Sequence, residues 1–232
     1  IFLDELNAKI DHHEKTMIKG ELSTGIFVNA ASVIMRLGVA TTILVGTRMI
    51  LSGQIDFMLL FLFLVSYALG DLYWLLYLIF YGHTPRIFYV SDLSWYAAFL
   101  FMYMLVQKRA GPEARAFRHP ALWLLPVFCV GMAVFYMQWG DYPGNVICAV
   151  LMSLLLYHTV RGLVILRTHR EKDANRPLYI AALVFCILGY GSWTASCFWT
   201  GDTWSNSYFL FDCLMTAYIP FLLASYRKAV AE

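Results

Sequence analysis

Charge is scarce in this sequence. Asp, Glu, Lys and Arg make up 14% of its 232 residues, against 60% for the hydrophobic types, whereas a soluble domain carries about a quarter charged residues. A single water-soluble globule is excluded, because it could not bury so much apolar surface, and an integral membrane protein is expected. Basic runs are missing too. Lys and Arg are dispersed through short loops and the net charge is only +2, so no nucleic-acid partner is expected. The five cysteines (Cys129, Cys148, Cys186, Cys197 and Cys213) form no CxxC pair and all lie in apolar stretches, where they read as small packing residues. GxxxxGK[ST] is absent, so this chain alone is not expected to hydrolyse ATP. GxSxG and HExxH are absent as well. His12-His13-Glu14 does not replace them, since adjacent helical residues point about 100° apart, and it reads as a solvated face. No catalytic residue, metal or cofactor is expected.

What remains is mostly apolar runs. Six are long enough to cross a ~30 Å hydrocarbon core, at 57–81, 92–107, 120–139, 144–166, 177–199 and 207–226; a seventh, at 26–51, is interrupted by Arg36. Backbone groups in lipid must be satisfied within their own segment. The expected fold is therefore all-α: a polytopic membrane bundle of six or seven helices. Residues 1–25 place Leu3, Leu6, Ile10 and Met17 at 3-4-7 spacing among charged residues, the pattern of an N-terminal amphipathic helix. No signal peptide is readable at the start. With Ile1 in place of an initiator Met, the chain is expected to be a fragment or a processed product.

The connections alternate in charge. KRAGPEARAFRH (108–119), RTHREKDANR (167–176) and the tail at 225–232 are basic; WGDYPG (139–144) and TGDTWSNS (200–207) are not. The positive-inside rule places the basic group in the cytoplasm, giving a multi-pass cell-membrane protein with a cytoplasmic C-terminus. SGQID (52–56) then falls on the cytoplasmic side.

Against this background a few polar residues stand out. Asp71 lies within GDLYWLLYLIFYG (70–82) and Asp212 near the outer end of the last run. An ionisable group inside a span costs at least about 2.5–3.5 kcal/mol on insertion scales and so marks a functional or locking role. His158 and Arg161 are candidate partners for Asp71. If the helix instead breaks at Gly70, Asp71 caps the following helix. Aromatics crowd the outer ends, among them Trp95, Tyr96, Trp139 and Tyr208. They fit either interfacial anchoring or an outward pocket for a small apolar or cationic ligand. Pro126 and Pro220 lie inside runs.

Two stretches resemble known families. FLDELNAKIDHHEKTMIKGEL followed by RLGVATTILVGTRMILSGQIDFMLLFLFLV, in residues 1–65, resembles the fifth and sixth helices of an ABC exporter transmembrane domain, with its L-V-G element and S-G-x-I-D turn. That resemblance implies a cytoplasmic polar helix meeting a separate ATPase, and it puts the S-G-x-I-D turn outside, opposite to the loop-charge reading. GDLYW (70–74) and TPRIFYVSDLSWY (84–96), in residues 66–232, resemble the multi-helix membrane sensing region ahead of bacterial signalling domains such as diguanylate cyclases, where acids recur at the positions of Asp71 and Asp92. Together these imply three segments: an amphipathic helix at 1–25, an exporter-like hairpin at 26–65 and a membrane bundle at 66–232.

The functional expectation is a bacterial membrane sensing or ligand-binding module without a catalytic domain of its own. The alternative is a permease-like part of an ABC-type transporter. The expected partners are membrane lipid, a small apolar or cationic ligand, and a separate ATPase or signalling subunit. The candidate ligand-binding or structural polar residues are Asp71, Tyr73, Trp74, Asp92, Trp95, His158, Arg161 and Asp212.

Overall fold

The computed structural model describes residues 55–82, 89–169, 175–198 and 206–230, with scattered positions between Lys9 and Arg48. The amphipathic helix expected at 1–25 and the run at 26–51 therefore lie outside the described residues as whole segments. Seven α-helices follow: α1 (Ile55–Tyr81), α2 (Tyr89–Arg109), α3 (Pro112–Ala116), α4 (Leu124–Tyr136), α5 (Tyr142–His169), α6 (Arg176–Cys197) and α7 (Ser207–Val230). Tight 3-10 turns at Pro120–Trp123 and Met137–Trp139 flank α4, and no strand occurs among the described residues.

Among the described residues, five stretches are long and apolar enough to cross a bilayer: Ile55–Tyr81, Pro120–Trp139, Tyr142–Arg167, Arg176–Cys197 and Ser207–Ala229. They mark the chain as a multi-pass membrane protein. The run expected at 92–107 is helical, within α2, but is not among these five. Asp92 in its first turn and Lys108 and Arg109 in its last dilute its hydropathy. The physical reason is position. α2 packs on α1, α5 and α6, and Ala98, Met102, Leu105 and Val106 are fully buried. A helix surrounded by protein need not offer an apolar surface to lipid on every side.

Helix hairpins α1/α2, α4/α5 and α6/α7 pack side by side, and an aromatic core ties them together. Phe185 of α6 meets Phe63 of α1 and Phe99 of α2, both with ring centroids 5.2 Å away. Pro126 falls in the first turn of α4, where its missing N–H is not needed. Pro220 lies inside α7. Cys129, Cys148 and Cys186 are buried free thiols.

Charged contacts gather at one end of the bundle. Arg109, closing α2, donates to Asp56 of α1 at 3.3 Å, to Asn175 ahead of α6 at 3.0 Å, and to the Ala229 carbonyl of α7. Asp56 of SGQID thus shares its end with Arg109 and the tail helix, as the loop charges require. α1 runs unbroken through Gly70, so Asp71 lies mid-helix and does not cap a new one.

Candidate functional site

The opposite end of the bundle holds a cavity of about 450 Å³ between α1, α2, α4, α5, α6 and α7. Its walls follow from helical periodicity. Tyr67 and Trp74 share one face of α1, and Tyr208, Asp212 and Met215 one face of α7, at three- and four-residue spacing. On α2, Asp92, Trp95, Tyr96 and Phe99 turn the same way, and α6 contributes Gly189, Ser192, Trp193 and Ser196. Gly189 lets α2 approach, since a Cβ there would sit 3.0 Å from the Phe99 ring.

Aromatic rings make most of the wall. Four tryptophans (Trp74, Trp95, Trp139 and Trp193) and four tyrosines (Tyr67, Tyr96, Tyr136 and Tyr208) line the space. Trp74 and Tyr208 lie 5.8 Å apart, and Trp193 lies 6.1 Å from Tyr136 and 6.4 Å from Tyr96. Thr194 spends its hydroxyl hydrogen on the Tyr190 carbonyl at 2.7 Å, so the 2.7 Å contact between Tyr136 and Thr194 has Tyr136 as donor. That bond fixes the Tyr136 ring against α6.

The mouth is shaped by the turn between α4 and α5. Gly140 and Asp141 both take positive φ, 93° and 48°, a geometry that Gly and Asp tolerate best. Asp141 Oδ1 accepts from the Gly144 amide at 3.2 Å and Asn145 donates to the Gly140 carbonyl at 2.8 Å, which caps the start of α5. Gly144 must lack a side chain, because a Cβ there would collide with both Asp141 Oδ2 and the Tyr96 hydroxyl. These two groups therefore converge on one spot. Tyr96 is 8% exposed and its hydroxyl has no hydrogen-bond partner.

Three carboxylates line the cavity, from Asp92, Asp141 and Asp212, and the lining contains no Lys, Arg or His among the described residues. Asp71 stands behind this wall. Its Oδ1 accepts from Trp95 Nε1 at 2.9 Å. Gly70 clears the space for that indole, since a Cβ there would lie 2.5 Å from Trp95 Nε1. Asp71 is thus a positioning residue for Trp95. No group of three His, Cys, Asp or Glu side chains among the described residues is placed to hold a metal ion.

Of the residues singled out in the sequence, Trp74, Asp92, Trp95 and Asp212 come together around the cavity, with Asp71 holding Trp95. Tyr73 does not join them; its ring lies 6.5 Å from that of Tyr77. His158 and Arg161 are at the other end and do not partner Asp71. Arg161 donates to the Arg115 carbonyl at 3.3 Å, contacts His158 Nδ1 at 2.8 Å and lies 5.6 Å from the Tyr157 ring centre. The 19 residues from Tyr142 to Arg161 span about 28 Å of helix, too far for a pairing near the α5 start. Asp141, Tyr136, Trp193 and Tyr67 were not singled out. Asp141 carried a readable signal as an acid in an otherwise uncharged turn just ahead of a helix. Trp193 sits among Gly189, Ser192 and Ser196, a small and polar stripe within an apolar run.

No family model, curated protein or solved structure matches this chain.

Proposed function

We propose that this chain is a membrane-embedded ligand-binding and sensing module that takes a small organic cation into the aromatic cavity. One observation carries the reading: the lining combines four tryptophans, four tyrosines and three aspartates around about 450 Å³, with no basic residue among the described residues. A cation over an aromatic face gains about 0.5–1 kcal/mol, and about 2 kcal/mol when desolvated. A neutral apolar ligand would use the rings but leave every carboxylate without a partner of opposite charge. The volume falls within the range of small-molecule sites. The reading assigns no catalysis to the chain.

Titration calorimetry on the purified full chain tests it, with butylamine and butanol as probes of equal reach. Butylamine is expected to bind about tenfold or more tightly, which corresponds to about 1.4 kcal/mol. Equal affinity, or no saturable binding of the amine, refutes the reading.

A permease-like role with a separate ATPase has its own support. The bundle is tied shut by Arg109 at one end while the cavity lies at the other, as in a transporter held open to one side. ATP-driven movement of the amine in vesicles that also carry an ATPase subunit would favour transport. Saturable binding without movement favours sensing.

A further inference from the structure

The cavity holds more carboxyl groups than one small cation can pair. Three line it, in more than one place, so a ligand with a single ammonium cannot meet them all. These carboxylates do not converge on a point, since no three acidic or metal-ligating side chains among the described residues could share one ion. They fall into two groups instead. At the mouth, Asp141 Oδ2 and the Tyr96 hydroxyl meet beside Gly144. Asp92, one helical turn before Tyr96, is within electrostatic reach of Asp141. On the α7 side, Asp212 faces the cavity one turn beyond Tyr208, within electrostatic reach of Asp71. Tyr208 also lines the cavity, within electrostatic reach of Asp212, Asp71 and Asp92.

The Tyr96 hydroxyl provides the second, independent observation. It is buried, lines the cavity and has no hydrogen-bond partner among the described residues. Buried polar groups are normally bonded and leaving one unbonded is costly. A primary ammonium meets that need, because it offers three N–H donors to a cluster of oxygens; a quaternary ammonium offers none.

We propose that the ligand of this cavity is an aliphatic diamine, with one ammonium donating to Asp92, Asp141 and the Tyr96 hydroxyl, the other facing Asp212, and the methylene linker lying along the Trp95 and Tyr208 rings. This rests on the cation-binding reading above and adds the second charge to it. Alkyl linkers suit such a wall, since methylenes gain from aromatic burial while the two ends keep their charge partners.

The test compares butanediamine and hexanediamine with butylamine and butanol by calorimetry on the full chain. At least one diamine is expected to bind about tenfold more tightly than butylamine, the return on one further charge-assisted contact. On Asp212→Asn the gap should then close, the diamine binding no more tightly than butylamine does on that same variant. Butylamine matching both diamines on the unaltered protein overturns the diamine inference and leaves the cation reading standing. Butanol matching the amines, or no binding by any amine, overturns both. The comparison of probes on the unaltered protein stands even where Asp212→Asn fails to fold.

Discussion

Gly70→Ala adds one methyl group, and its effect can be worked out from the structure. Alanine is the better helix former by about 1 kcal/mol, so in open space the change would stabilise α1. Here the new Cβ would lie 2.5 Å from Trp95 Nε1 and 2.7 Å from Cδ1. The indole has to leave, since α1 is held by its packing along α2. Overpacking of this kind costs roughly 1–3 kcal/mol. Moving the indole also breaks its bond to Asp71, and a hydrogen bond to a charged group contributes about 1.5–3 kcal/mol. The net is a loss of roughly 1.5–5 kcal/mol after the propensity gain. Gly131→Ala is the matched control: Gly131 lies mid-helix in α4 with no atom within 4 Å of an added Cβ, and its substitution should be neutral or stabilising by up to about 1 kcal/mol. Denaturation of both variants in detergent micelles, followed by helical circular dichroism, measures the contrast. Gly70→Ala unfolding at or above the wild-type midpoint, alongside Gly131→Ala, would show that the indole does not sit against α1 and would remove the basis for the Trp95–Asp71 wall.

Other substitutions separate structure from binding. Tyr96→Phe deletes a buried hydroxyl that has no partner; stability should hold or rise slightly, while amine affinity drops several-fold, and calorimetry beside a melting curve reads both. Arg109→Gln loosens the tie between α1, α6 and α7; the partly exposed ion pair adds little, so most of an expected loss of about 2 kcal/mol comes from the other two hydrogen bonds, measured as a lower unfolding midpoint. Arg161 is 3% exposed and has a buried, unbonded Nε. Arg161→Met forfeits two hydrogen bonds made by a charged group, about 1.5–3 kcal/mol each, and removes an insertion cost of up to about 2.5–3.5 kcal/mol. It should unfold below the wild-type midpoint by up to about 3 kcal/mol with amine binding intact, and a midpoint above the wild type would show that Arg161 does not lock the bundle.

Much of the architecture could be read from hydropathy and loop charge, because both report directly on the lipid. The ends of α1, α2, α6 and α7 gather around Arg109, an arrangement compatible with the alternation of basic and non-basic loops. The aromatic-rich end was legible too, including Trp95, Tyr96, Trp139 and Tyr208, which line the cavity. The standing of α2 was legible only in part: the run at 92–107 was expected as a span, and it is a bundle helix that falls outside the five most apolar stretches. Hydropathy assumes a helix faces lipid, and α2 faces protein on several sides, so its composition drifts below that of a lipid-facing span. The partner of Asp71 was missed for a related reason. Reasoning from charge looks for a cation and proposes Arg161 or His158; the structure answers with a neutral N–H from Trp95, 24 residues away on the next helix. Nothing local in the sequence encodes that meeting except Gly70, whose missing side chain leaves the space.

That neutral partner has a consequence for binding. An Arg or Lys beside Asp71 would cancel its charge, whereas the Trp95 N–H fixes its geometry and leaves the negative field in place, one side chain behind the cavity wall. Asp71→Asn separates these two roles. The amide oxygen can still accept from Trp95 Nε1, so the indole keeps its seat and the unfolding midpoint should shift by less than about 1 kcal/mol equivalent, the difference between a charged and a neutral hydrogen bond being offset by the lower cost of burying an amide. Amine affinity should fall several-fold, because Asp71 lies within electrostatic reach of Asp212 in the cavity wall and partly buried charges are screened less than exposed ones. Asp71→Leu removes the acceptor as well and should lose both stability and affinity. If Asp71→Asn binds amines as tightly as the wild type, the carboxylate serves only to hold Trp95, and the charge that recruits the cation comes from Asp92, Asp141 and Asp212 alone.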